Sequence, residues 1–89
     1  MEYNNNLDIL EKIKDKYKIS IDELLMLQKD HKELNEKIIK LDQFKEFSVK
    51  YPSLPHDVAY CLSAQLECMI QYSYWLCERM RLLGVPLIN

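Results

Sequence analysis

VAYCLSAQLECMIQYSYWLCERMRLL, residues Val58 to Leu83, is an uninterrupted helical pattern within a chain of 89 residues. Ala59, Leu62, Leu66, Met69, Ser73, Leu76, Met80 and Leu83 alternate spacings of three and four, which is a heptad seam. Cys61, Cys68, Trp75 and Leu82 form a second stripe, each seven residues from the next. Ile70 and Cys77 widen the seam on its other side. At 100° per residue the polar face (Tyr60, Ser63, Glu67, Gln71, Tyr74, Glu78, Arg81) is only about 80° wide. A helix with a single partner needs an apolar arc of roughly 100°. This one has about twice that, so it calls for helix two and also helix one or another subunit. Gly84 followed by Pro86 supplies the stop.

Upstream, Ser20 and Glu23 form a capping box, with Ile19 and Leu24 as the hydrophobic staple. The helix they start carries Leu24, Leu27, His31, Leu34, Ile38 and Leu41 as its own seam, drifting to Phe44 and Phe47. It is expected to reach residue 50, about 43 Å. Glu33–Lys37 and Glu36–Lys40 stand in the favourable order for ion pairs. A first, short helix over 7–18 is read from Leu7, Leu10, Ile13 and Tyr17, with Met1–Asn6 frayed. Pro52 and Pro55 break the chain, Ser53 is the expected cap of helix three, and so short a connection returns the chain antiparallel. The expected fold is all-α: one domain over 1–89, a long antiparallel helical hairpin (21–50 and 56–83) behind the short first helix, oligomerising into a helical bundle. Leu62, Leu66, Met69, Leu76, Met80 and Leu83 are the expected oligomer interface, because an apolar arc of this size is rarely left bare.

Composition narrows the function. Hydrophobic residues at 48% and charged residues at 29% specify a folded chain, and a single glycine argues against a sheet rich in hairpins. Lysines lie only within residues 1–50, interleaved with acids, and the net charge is -2, a poor match to duplex nucleic acid. Gln65, Glu67, Gln71 and the Glu78–Arg81 cluster interrupt any membrane span. The polar start and three unpaired cysteines fit a cytoplasmic setting with reduced, packing thiols. No glycine-rich loop, Cys-x-x-Cys or His-Glu-x-x-His is present, and neither Ser63 nor Ser73 of helix three has a histidine three or four residues away. A non-enzymatic protein with no metal or cofactor is expected. His31 reads as a register-setting seam residue or a pH-sensitive one.

The remaining lead is a strip of Gln65, Tyr72 and Arg79 beside Cys68 and Trp75. Buried polar groups need partners, so this strip either completes an interhelical network or lines a pocket between subunits. In the second case Tyr72 and Trp75 stack on a base, Arg79 meets a phosphate, and helix two brings Lys37, Lys40 or Lys45.

Residues 33–44, ELNEKIIKLDQF, and 65–72, QLECMIQY, with Leu76, Glu78 and Arg79, resemble a pattern of small phage and prophage helical proteins. Some phage proteins of this size and layout are cyclic-nucleotide sponges, oligomers that sequester host defence signals without hydrolysing them. The resemblance implies a homo-oligomer in the cytoplasm of a bacterial host. Tyr72, Arg79 and lysines such as Lys40 would then contact ligand at subunit interfaces. The alternative is a protein-binding module, either an inhibitor of a host protein or a phage structural adaptor. Its motivation is the oversized apolar arc.

Overall fold

The computed structural model describes residues 2–88 as three α-helices: α1 (Glu2–Tyr17), α2 (Ile21–Phe47) and α3 (His56–Leu83). A 3-10 turn, Tyr51–Ser53, lies between α2 and α3, and no strand occurs among the described residues. The fold is therefore all-α, with α2 and α3 as the long hairpin.

The connections follow from local chemistry. α1 ends at Lys18, whose φ of 60° is the left-handed turn that a helix exit requires. Ser20 then caps α2 through the Glu23 amide, which donates to Ser20 Oγ at 3.2 Å. The returning Glu23 carboxylate bond is not formed among the described residues. α3 ends in a Schellman motif around Gly84 (φ 84°). The amide of Gly84 donates to the Arg81 carbonyl at 3.2 Å, and that of Val85 to the Met80 carbonyl at 2.8 Å. Val85 is buried against the core with Met80, the hydrophobic contact that accompanies this motif.

Several expectations need correction. α1 begins at Glu2 rather than 7, because Asn6 is held by a paired amide on α2, so the asparagine run winds into the helix. Met1 lies outside the described residues. α2 stops at Phe47 rather than 50, where Ser48 turns to extended backbone and its hydroxyl accepts the Lys50 amide. Ser53 does not cap α3. Its hydroxyl donates back to the Lys50 carbonyl at 2.8 Å, and Pro55 occupies the cap position without a side-chain bond. Cys61 and Cys68 are exposed and Cys77 is half-buried, so the thiols are not core packing groups.

The core sits at one end of the hairpin. Leu10 and Ile13 of α1, Leu24 and Leu27 of α2, Leu76 and Met80 of α3 and Val85 of the tail converge there, flanked by Ile19, Ile21, Leu34 and Leu83. Gln28, only 1% exposed, ties the three parts together. Its amide nitrogen donates to Asn6 Oδ1 at 2.9 Å and to the Pro86 carbonyl at 2.8 Å, and its oxygen accepts from Asn6 at 3.3 Å. A second polar chain crosses the hairpin, where Ser73 Oγ donates to Asn35 Oδ1 at 2.7 Å and Asn35 Nδ2 lies 3.4 Å from His31 Nε2. Buried His31 is thus a link in a register-fixing network between α2 and α3.

Toward the other end the hairpin is only two helices deep. Its seam residues Ile38, Leu41, Leu62 and Met69 are half-buried. The chain measures 52 × 24 × 17 Å with a radius of gyration of 17.0 Å, against about 12 Å for a compact domain of this length. Its accessible surface is 6890 Å², where a compact monomer of 10.7 kDa exposes about 5500 Å².

Candidate functional site

Between α2 and α3, on the two-helix part of the hairpin, lies an open groove of about 360 Å³ lined by Lys37, Lys40, Leu41, Leu62, Gln65 and Met69. Lys37 and Lys40 are one turn apart on α2, so both ammonium groups reach the same rim. Leu41, Leu62 and Met69 are seam residues left half-buried because no third helix covers this stretch. The two lysines are available to a ligand. Glu33 bridges back to Lys29 at 3.9 Å instead of forward to Lys37, and no ion pair among the described residues engages Lys37 or Lys40. An apolar surface beside paired cations and an amide suits a flat, anionic molecule.

The structure brings Lys40 and Gln65 together in this groove, with Lys37 beside them. Tyr72, Trp75 and Arg79 do not line it. They continue along α3 as an exposed ridge, with Tyr72 58% and Trp75 66% exposed. Trp75 is braced edge-on by Tyr74, with ring centroids 5.0 Å apart. The strip is therefore not a buried interhelical network within one chain. Its apolar neighbours Cys61, Cys68 and Leu82 face outward with it.

The two arginines of α3 differ in availability. Arg81 donates twice to the Glu78 carboxylate, through Nε and an η nitrogen, both at 3.0 Å. That hydrogen bonding holds the Glu78 carboxyl below its ordinary value and raises Arg81. Arg79 is exposed and makes no ion pair among the described residues. It is the cation α3 leaves open.

Lys45 does not join the groove, its ammonium lying 6.0 Å from the centre of the Tyr51 ring. The expected interface residues divide. Leu66, Leu76 and Met80 are buried within the chain's own hairpin, Leu62 and Met69 line the groove, and Leu83 packs at the core edge. At the core end the first seam of α3 is taken up by α2 and α1, and the second stripe is left facing outward. Leu41, a seam residue one turn from Lys37, is a lining residue that the sequence offers only through that offset. No cluster of three His, Cys, Asp or Glu side chains occurs among the described residues. No described helix is long and apolar enough to cross a membrane.

Fold and groove together define an all-helical hairpin protein with a cation-rimmed apolar groove and an open aromatic ridge. The chain belongs to the Sequestin family, whose family model matches residues 22–82, the whole hairpin from the start of α2 nearly to the end of α3. The family's name points to sequestering, a binding role rather than a catalytic one. Searches of curated proteins and of solved structures find no match to the chain.

Proposed function

We propose that this protein is a non-enzymatic, phage-encoded homo-oligomer that sequesters a cyclic nucleotide or a similar anionic signal and so counters host defence in the bacterial cytoplasm. The observation that carries the reading is the groove: Lys37, Lys40 and Gln65 around an apolar floor, with no carboxylate among its lining residues. Phosphate oxygens meet the lysines, a base edge meets the Gln65 amide, and the base face lies on Leu41, Leu62 and Met69. Arg79, exposed outside the groove on α3, is a further bidentate phosphate donor. Membership of a family named for sequestering, and the resemblance to phage sponges, support the same reading. At about 360 Å³ the groove is at the lower end of the range for small-molecule sites, roughly 300–1,000 Å³, and it is open on one side.

Calorimetric titration with cyclic di- and trinucleotides tests this. Binding is expected for at least one of them, weakened tenfold or more by Lys40→Ala, about 1.4 kcal/mol. A panel that gives no heat with assembled protein overturns the reading.

A second reading, a protein-binding module acting on a host protein or within a phage particle, is favoured by other exposed side chains. Phe47, Val49 and Tyr60 are largely exposed, and all lie outside the groove lining. A stoichiometric protein partner whose binding is lost on Phe47→Ser but kept on Lys40→Ala would favour it.

A further inference from the structure

The exposed ridge of α3 is evenly spaced about Tyr72. Gln65 and Arg79 each lie seven residues, two helical turns, from Tyr72. The apolar stripe repeats the symmetry within a residue, with Cys68 and Trp75 bracketing the same level and Cys61 and Leu82 bracketing it farther out. Two-fold dimers need such a patch, because each surface must complement its own copy.

We infer that two copies pair antiparallel through this face of α3, on a two-fold axis at Tyr72, and that Arg79 of the partner subunit completes the Lys37–Lys40–Gln65 groove. This rests on the anion-binding reading of the groove above and supplies the cation that one chain alone does not bring there. In this register Gln65 lies level with Arg79 of the partner subunit, and Cys68 lies against Trp75 of the partner subunit. The alternation is chemically matched: an amide oxygen meets a guanidinium, a thiol meets an indole, and the two Tyr72 rings meet at the axis. The axis maps each groove to the same side of the dimer, so the assembly holds two equivalent sites about 21 Å apart along α3.

Area supports a second copy as the occupant. Tyr72, Trp75 and Leu82 are each more than half exposed, and with Cys61 and Cys68 they offer roughly 500 Å² per chain, taking about 150–250 Å² for a whole aromatic residue. Two copies then bury about 1,000 Å², the threshold for a specific interface, before any flanking contact from α2. The surface excess of the single chain, about 1400 Å² over a compact monomer, is enough to supply it.

Cysteine placement tests the register. In a chain carrying Cys61→Ser, Cys68→Ser and Cys77→Ser, Tyr72→Cys should oxidise to a disulfide dimer. Gln65→Cys alone and Arg79→Cys alone should not, since each would lie about 21 Å from its own copy, beyond any disulfide. A one-to-one mixture of the two should cross-link, at least tenfold above either alone on a non-reducing gel. All three positions are exposed, so the core is untouched. If Tyr72→Cys stays monomeric, or if Gln65→Cys cross-links to itself as readily, the antiparallel register is wrong. The gel is read without nucleotide. Cross-linking in a protein that binds no nucleotide would therefore refute the ligand reading alone and leave the dimer standing.

Discussion

Replacing Gln28 by alanine removes the side chain that joins α1, α2 and the C-terminal tail. Gln28 is 1% exposed and takes part in three hydrogen bonds, at 2.8, 2.9 and 3.3 Å. At about 0.5–1.5 kcal/mol net for each bond, the loss comes to about 2–4 kcal/mol, with Asn6 regaining some water because it is only half-buried. For a chain of this size, 1 kcal/mol moves the melting temperature by about 4–8 °C, so a fall of about 8 °C or more is expected. Urea denaturation followed by circular dichroism measures the free energy. It should be run at one protein concentration for both chains, because assembly adds to apparent stability. Limited trypsin digestion adds a local readout, since α1 loses its anchor and the exposed Lys18 link should be cut first. A change below 0.5 kcal/mol with an unaltered cleavage pattern would refute the claim that this amide holds α1 and the tail to the hairpin.

Leu76→Glu places an unpaired charge in the three-helix core and is expected to abolish the cooperative transition in circular dichroism, whereas the same change at exposed Leu82 should leave helicity intact. Lys18→Gly should stabilise by about 1 kcal/mol in the same urea assay, because a φ of 60° strains any residue with a Cβ. The Glu78 carboxyl should titrate below its ordinary 4.5 by NMR and return towards it in Arg81→Ala. Because its folded value is the depressed one, the stability it contributes is present above the ordinary value and is lost as pH falls through the folded one.

The hairpin was legible in the sequence because its signals are local. Ser20 marks a start, Gly84 and Pro86 a stop, and the two seams keep heptad spacing between them. The long-range polar pairs were not legible. Nothing within a few residues of Asn6 announces that Gln28, twenty-two positions on, will hold it, so the asparagine run reads as frayed. The exposure of Cys61 and Cys68 is not legible in the sequence for a related reason. Periodicity gives the width of an apolar arc but not which part of it the chain's own helices cover, and α1 with α2 cover the Leu66–Leu76–Met80 side. Lys40 and Gln65 converge because antiparallel helices bring residues equidistant from the turn to the same level. Arg79 and Trp75 lie farther along α3 and stay outside the groove of a single chain.

Under the proposed function, the protein holds an anionic nucleotide without changing it. The most direct measurement is to mix assembled protein with a slight deficit of the tightest-binding cyclic nucleotide from the calorimetric panel, filter, heat-denature the retained protein, and chromatograph what is released. Retention on the protein and recovery of the intact nucleotide at near-stoichiometric yield is the predicted result. Recovery of a cleaved product, or passage of the nucleotide through the filter, would contradict it.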